Sequence, residues 1–132
     1  MDADSPDLVF YQKIAKQYNE AFADIDFIRL PTEEKGYFSN YQSYSVYLKE
    51  NCPISRNELM QKMLDAGVAT RRGIMTAHRE TAYHEECAGL SLPVSEGAAD
   101  NSIILPLYVP MSSEDVKQVI ETFKANILVP VA

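Results

Sequence analysis

Apolar residues recur at three- and four-residue steps between Asp7 and Ala23. Leu8, Tyr11, Ala15, Tyr18 and Phe22 share one face, widened by Ile14 and Ala21. The pattern predicts a helix, with Pro6 just ahead of it, where a missing N–H costs little. Phe27-Ile28-Arg29-Leu30 reads as a short strand ended by Pro31, and Thr32 to Asn40, with Gly36 and several charges, as a loop. Tyr41 to Leu48 has strand period: Tyr44, Val46 and Leu48 fall on one face, while Gln42 breaks that face at its start.

Asn51-Cys52-Pro53 interrupts the pattern. Ser55-Arg56-Asn57-Glu58 then has the capping-box spacing, in which hydroxyl and carboxylate each satisfy a backbone N–H of the other residue. Leu59, Met60, Met63 and Leu64 give the following helix one face, and Gly67 stands where a left-handed terminating residue is needed. Val68 to Tyr83 has no clean period; it is a strand entering a long loop, or loop throughout. Pro93 to Asp100 suits a short helix and Ile103-Ile104-Leu105 a buried strand, with Pro106 and Pro110 bracketing its exit. Ser112 and Asp115 repeat the capping box ahead of a helix whose core face is Val116, Val119, Ile120, Phe123 and Ile127. No internal repeat occurs. Helices that each bury one face, mixed with a few strands, imply an α/β fold, a two-layer α/β sandwich. The 132 residues make a single domain, 1–132, with 1–6 expected to be a disordered or vector-derived leader.

The chain is 46% hydrophobic and 23% charged, ordinary for a soluble globular protein. Its formal net charge of −7 argues against nucleic acid, which is held first by Lys and Arg on phosphates. No apolar run nears the roughly 20 residues of a membrane span, and the acidic start has no signal-peptide pattern. A cytoplasmic protein is expected, with Cys52 and Cys87 as two reduced, buried thiols.

Candidate chemistry is concentrated in one place. Gly36, Gly67, Gly73, Gly89 and Gly97 are scattered, so neither phosphate-binding glycine loop is present. His84-Glu85-Glu86-Cys87 has metal-capable atoms, but adjacent residues rarely converge on one ion, and no metal site is expected. A thiol–imidazole pair of Cys52 or Cys87 with His78 has no orienting third group in the sequence. The stretch from Gly67 to Tyr83 holds Arg71, Arg72, His78, Arg79 and Tyr83. Arginine suits carboxylate or phosphate, and histidine can move a proton near neutral pH. On composition alone, a solvated loop that offsets an acidic protein is the favoured account.

Five ordered motifs add to that reading. Gly67-Val68-Ala69-Thr70-Arg71 is followed by His78-Arg79-Glu80-Thr81-Ala82-Tyr83. Then come Leu92-Pro93-Val94-Ser95-Glu96, Leu105-Pro106-Leu107-Tyr108-Val109-Pro110 and Glu114-Asp115-Val116. In order and spacing they resemble the small domain of the DegT–DnrJ–StrS type of pyridoxal-phosphate (PLP) sugar aminotransferases, over about Ala15 to Ile127. The family often carries aromatic residues where this chain has Gly73 and Ile74, and proline where it has Thr76 and Thr81.

The resemblance implies the C-terminal small domain of a fold-type I PLP transferase, with a mostly antiparallel sheet. It implies a longer parent with a large domain holding the Schiff-base lysine. Lys13, Lys16, Lys35, Lys49, Lys62, Lys117 and Lys124 are then solvated charges, and the chain has no catalytic residue of its own. PLP belongs to the full-length enzyme, and none is expected on this piece. The parent would use an amino acid, typically glutamate, to aminate a nucleotide-linked keto-sugar for polysaccharide or lipopolysaccharide synthesis, as a homodimer. Arg71, His78, Tyr83 and Arg72 are implied to face the substrate, with Arg79 less central. Two other readings stay open. One is a stand-alone module binding a nucleotide sugar or a protein, through an apolar face on the tyrosine-rich first helix and strand. The other is an unrelated small regulatory domain.

Overall fold

A computed structural model describes residues 5–128; of the leader expected over 1–6, residues 1–4 lie outside the described residues, while Ser5 is the N-cap of the first helix and Pro6 its first residue rather than disordered. Helix α1 (Pro6–Phe22) takes Pro6 into its first turn and buries Leu8, Ile14, Ala15, Tyr18 and Phe22. Strand β1 is Ile28–Arg29 and β2 is Tyr44–Leu48. Helix α2 (Arg56–Asp65) is closed by both bonds of the Ser55–Glu58 capping box. At its other end Gly67 has φ +87°, and the amides of Gly67 and Val68 bond back to the carbonyls of Leu64 and Met63. That is the left-handed glycine termination its sequence predicts.

Strand β3 is only Arg71–Arg72, and two short 3₁₀ turns follow at Ala77–Arg79 and Thr81–Tyr83. Helix α3 (Pro93–Asn101) runs directly into β4 (Ser102–Leu105), and α4 (Ser113–Ile127) carries the second capping box, Ser112 with Asp115. The sheet is antiparallel throughout, in the order β1-β2-β4-β3. Val46 faces Ile103 and Tyr44 faces Leu105, so one side of the sheet is apolar from β1 to β4. Against it pack α1, α2 and α4, with Leu59, Met63, Val116, Val119, Phe123 and Ile127 in the core. The expected two-layer α/β fold is what forms.

Aromatic rings tie the layers together. Tyr18 lies 4.9 Å from Tyr44 and 5.9 Å from Phe22, centroid to centroid, and Phe22 lies 4.6 Å from Phe123. Such offset and tilted pairs add about 0.5–1.5 kcal/mol each beyond their buried area. Burial pushes the Tyr18 phenol well above its ordinary value, and its hydroxyl donates to the Pro106 carbonyl at 2.7 Å. Tyr44 donates to Asn19 Oδ1 at 2.6 Å.

Four expectations need correction. The β2 pattern was expected to begin at Tyr41, but Tyr41 has φ 44°, in the left-handed region, where a chain cannot continue as strand. Leu64 does not join the α2 core face; it is 55% exposed. The two cysteines are free but half-buried rather than buried. The tyrosines of α1 and β2 do not form an exposed apolar face, because Tyr18, Tyr41 and Tyr44 are buried. Exposed apolar side chains lie instead at Tyr37 and Phe38 and along the segment from Ile74 to Val94.

Two glycines make opposite predictions. A Cβ on Gly73 would stand 2.4 Å from the Ser102 Cβ, with Ser102 backbone also at 3.4 Å. Gly73→Ala is expected to cost about 1–3 kcal/mol, as overpacking does. A Cβ on Gly97, inside α3, meets nothing closer than the Tyr47 hydroxyl at 3.8 Å. Gly97→Ala is expected to stabilise by about 0.5–1 kcal/mol through helix propensity. Denaturant melts of the two variants check both signs.

Candidate substrate-facing site

Alternation along β3 sends its two arginines to opposite sides of the sheet. Arg71 pairs with Ile104, whose neighbour across the sheet is Ser45, on the face away from α2 and α4. It lines a cleft of about 560 Å³ with Gln42, Ser43, Ile104, Leu107 and Tyr108. Arg72 pairs with Ile103, on the core side, and emerges at the sheet edge beside α2. There it lines a different cleft with Asn57, Met60 and Gln61. Both guanidinium groups are exposed. Adjacent in sequence, they border two different clefts that meet at Ala69 and Thr70.

His78 and Arg79 also part from the expected arrangement. The His78 side chain is only 7% exposed and turns inward, with Nε2 at 2.8 Å from Glu96 Oε1. An ionised carboxylate only accepts, so this ring nitrogen carries the proton. The same Glu96 oxygen accepts the Leu92 N–H at 2.9 Å. Arg79 grips Asp100 with two prongs, Nη1 to Oδ2 at 3.0 Å and Nη2 to Oδ1 at 2.8 Å, while its Nε donates to Thr76 Oγ1 at 2.8 Å. Glu96 and Asp100 are four residues apart on α3, hence on one face. Two neighbouring residues of a 3₁₀ turn thus latch the segment onto two successive turns of one helix. Hydrogen bonds from Leu92 and His78 hold the Glu96 carboxyl below its usual range, and those from Arg79 do the same for Asp100.

Tyr83 is 50% exposed in the second 3₁₀ turn, beyond the latch. Neither His78 nor Tyr83 is among the residues lining the Arg71 cleft. Sequence reasoning missed three contributors. Glu96 and Asp100 were legible as an i, i+4 acidic pair facing an adjacent His–Arg, but their partners lie 18 and 21 residues away. Arg56 gave no signal at all. It is 7% exposed, and its Nη1 donates to the carbonyls of Ala99 and Ser102, at 2.9 and 3.1 Å, while Nε donates to Asn57 Oδ1.

The lysines test whether these residues could hold an aldehyde cofactor. Lys13, Lys16, Lys35, Lys49, Lys62 and Lys117 are exposed and Lys124 is half-buried, facing Asp24. None lines the Arg71 or the Arg72 cleft. A Schiff-base lysine needs a desolvating pocket that lowers its pKa, and no lysine here is placed that way. Among the described residues no three His, Cys, Asp or Glu side chains cluster as metal ligands, and no helix is long and apolar enough to cross a membrane.

A family model described as the DegT/DnrJ/EryC1/StrS aminotransferase family matches residues 10–124. The chain belongs to this family. Its fold is shared with the aminotransferase TlmJ of Streptoalloteichus hindustanus, with TM-score 0.80 and 28% identity over 92% of this chain and 32% of that one. A Streptococcus pneumoniae protein assigned as a sugar aminotransferase, solved in PMP, PLP and apo forms, matches with TM-score 0.81 in its PMP form. That match has 26% identity and covers 92% of this chain and 31% of the other. Helicobacter pylori PseC, an aminotransferase involved in the biosynthesis of pseudoaminic acid, shares the fold at 13% identity and TM-score 0.81, over 92% of this chain and 33% of its own. This family domain therefore spans about a third of the length of the solved proteins it matches.

The latch has a pH signature. A carboxyl whose folded pKa is depressed contributes stability above its ordinary value, and that contribution is lost as pH falls through the folded value. Segment 76–88 should stay protected from hydrogen exchange down to the carboxylate range, about pH 4, and open below it. Asp100→Asn and Glu96→Ala should each open it several-fold at neutral pH while the α4 amides keep their protection. Equal exchange in variant and parent would remove the latch.

Proposed function

We propose that this chain is the C-terminal small domain of a PLP-dependent sugar aminotransferase, and that it closes one side of that enzyme's substrate site. The observation that carries the reading is the family match over residues 10–124 of a domain a third as long as the sugar aminotransferases it resembles. The remaining length would be the large domain, with the catalytic lysine. The exposed lysines of the present chain support that division of labour. PLP bound there supplies the electron sink that lets an amino group pass from donor to keto-sugar. The residues described here bind, orient and exclude water.

In this reading the donor is glutamate, the acceptor is a nucleotide-linked keto-sugar, and the parent works in the cytoplasm as a homodimer. Arg71 is the residue best placed to meet an anionic group of the substrate: it is exposed, and it borders a cleft of mixed polar and apolar lining with no acidic side chain in it. Tyr83 presents its ring and hydroxyl from the segment beyond the latch. His78 contributes by fixing that segment, with only the ring edge away from Glu96 left for substrate.

A second reading has an observation in its favour. Tyr37, Phe38, Ile74, Met75 and Tyr83 leave large apolar side chains in solvent, as a domain meant to be covered by a partner would. The stand-alone binding module therefore stays as the alternative.

The test is made on the chain joined to its large domain, with glutamate and a nucleotide keto-sugar, following the amino-sugar nucleotide by mass spectrometry. Arg71→Ala should lower kcat/KM by about tenfold or more, mostly in KM for the anionic substrate, as loss of a charge-assisted contact does. Unchanged kinetics would take Arg71 out of the site. No transamination by the joined protein would favour the binding module.

A further inference from the structure

The Arg72 side of the sheet has a charge arrangement that the reading above leaves unused. Its cleft, of about 260 Å³, is bordered by Asn57, Met60, Gln61, Leu64, Thr70 and Arg72. No Asp or Glu lines it, in a chain with 19 acidic residues and a net charge of −7. Among the described residues the Arg72 guanidinium has no ion pair and no side-chain hydrogen bond. Asp65, at the end of α2, accepts the Gln61 amide at 2.8 Å.

Behind Arg72 sits the buried guanidinium of Arg56, and the two like charges oppose each other. Burial first, and Arg72 second, hold the Arg56 pKa below its ordinary value. Asp100 offsets this, but its oxygens are taken by both prongs of Arg79. The cleft thus carries a positive field from the exposed Arg72 backed by the buried Arg56, only partly offset by Asp100. A third observation is independent of charge. The Thr70 Oγ1 is buried and has no hydrogen-bond partner, and Thr70 borders this cleft as well as the Arg71 cleft. A buried hydroxyl left unpaired costs about 1–3 kcal/mol, so such groups are rare without a ligand or water to serve them. Finally, the exposed Leu64 and the half-buried Met60, which also packs against the core, give the cleft an apolar shelf along α2.

We propose that this cleft binds a small organic oxyanion, its phosphate or carboxylate group held by Arg72 with the Thr70 hydroxyl and its apolar body resting on Met60 and Leu64. A polyanion such as nucleic acid is disfavoured, because two guanidinium groups stand alone in a strongly acidic surface. Arg72 points to the opposite face of β3 from Arg71, although Ala69 and Thr70 border both clefts; the site does not depend on the aminotransferase reading.

The experiment uses the 132-residue chain, ¹⁵N-labelled, titrated separately with phenyl phosphate, benzoate and inorganic phosphate against a sodium chloride control. Saturable shifts confined to residues 57–64 and 69–72, with a dissociation constant near or below about 1 mM, are expected for at least one of the aromatic anions. Which of the two binds identifies the head group. Arg72→Ala should weaken binding at least tenfold and Thr70→Val several-fold, while Lys117→Ala, on a distant exposed helix face, leaves it unchanged. Binding that survives Arg72→Ala, shifts spread over all basic residues, or no saturation by either aromatic anion would overturn the proposal. Inorganic phosphate binding as tightly as phenyl phosphate would overturn the apolar shelf.

Discussion

The carbonyl oxygen of Ser102 is the point on which the structure turns. It accepts Nη1 of the buried Arg56 at 3.1 Å and the Gly73 amide at 3.1 Å. The start of α2, the exit of β3 and the junction of α3 with β4 therefore meet at one atom. A buried guanidinium is costly to desolvate unless its donors are satisfied. Here Ala99, Ser102 and Asn57 supply the acceptors, and they do so only when α3 and α2 hold their observed places. Because β4 lies between β2 and β3, fixing its first residue sets the register of both neighbours.

The site follows from that anchor. Gly73 must approach Ser102 so closely that no side chain fits, and the chain leaves the sheet there. With only two residues in β3, nothing in the sheet directs what comes next. The segment is recaptured one helix later, when His78 and Arg79 meet Glu96 and Asp100. Among residues 74–79 only the Thr76 and His78 side chains are buried, and both serve polar ties, Thr76 to Arg79 and His78 to Glu96. Polar ties rather than apolar packing hold this part of the domain, which suits a surface that must meet a substrate or another domain.

Much of the fold was readable because its signals are local. Both capping boxes, the left-handed Gly67 and the core faces of α1 and α4 are written within a few residues of where they act. The strands were readable where β-branched and aromatic residues alternate, as at Tyr44 to Leu48, and less so at β1 and β3, which exist only through their partners. Tyr41 looked like strand because tyrosine favours strand; its left-handed backbone comes from the turn that delivers it to the core. The irregular basic segment was legible as the candidate site, but its internal division was not. Arg71 and Arg72 looked like one cluster, and only a strand assignment for those two residues separates them. Arg56 looked like an ordinary helix-start residue, since its acceptors are 43 and 46 residues away.

The two-residue strand β3 also sets a reading frame. Side-chain direction in a strand has period two, so the stretch between the Gly67 terminus of α2 and the Gly73 contact must keep its length for Arg71 and Arg72 to keep their sides. A single inserted or deleted residue there would exchange which arginine looks toward which cleft while leaving composition, charge and core nearly untouched. Relatives that differ in length between these two glycines would thus present inverted recognition surfaces on an otherwise identical scaffold, and loop length in this stretch becomes a determinant of chemistry in its own right.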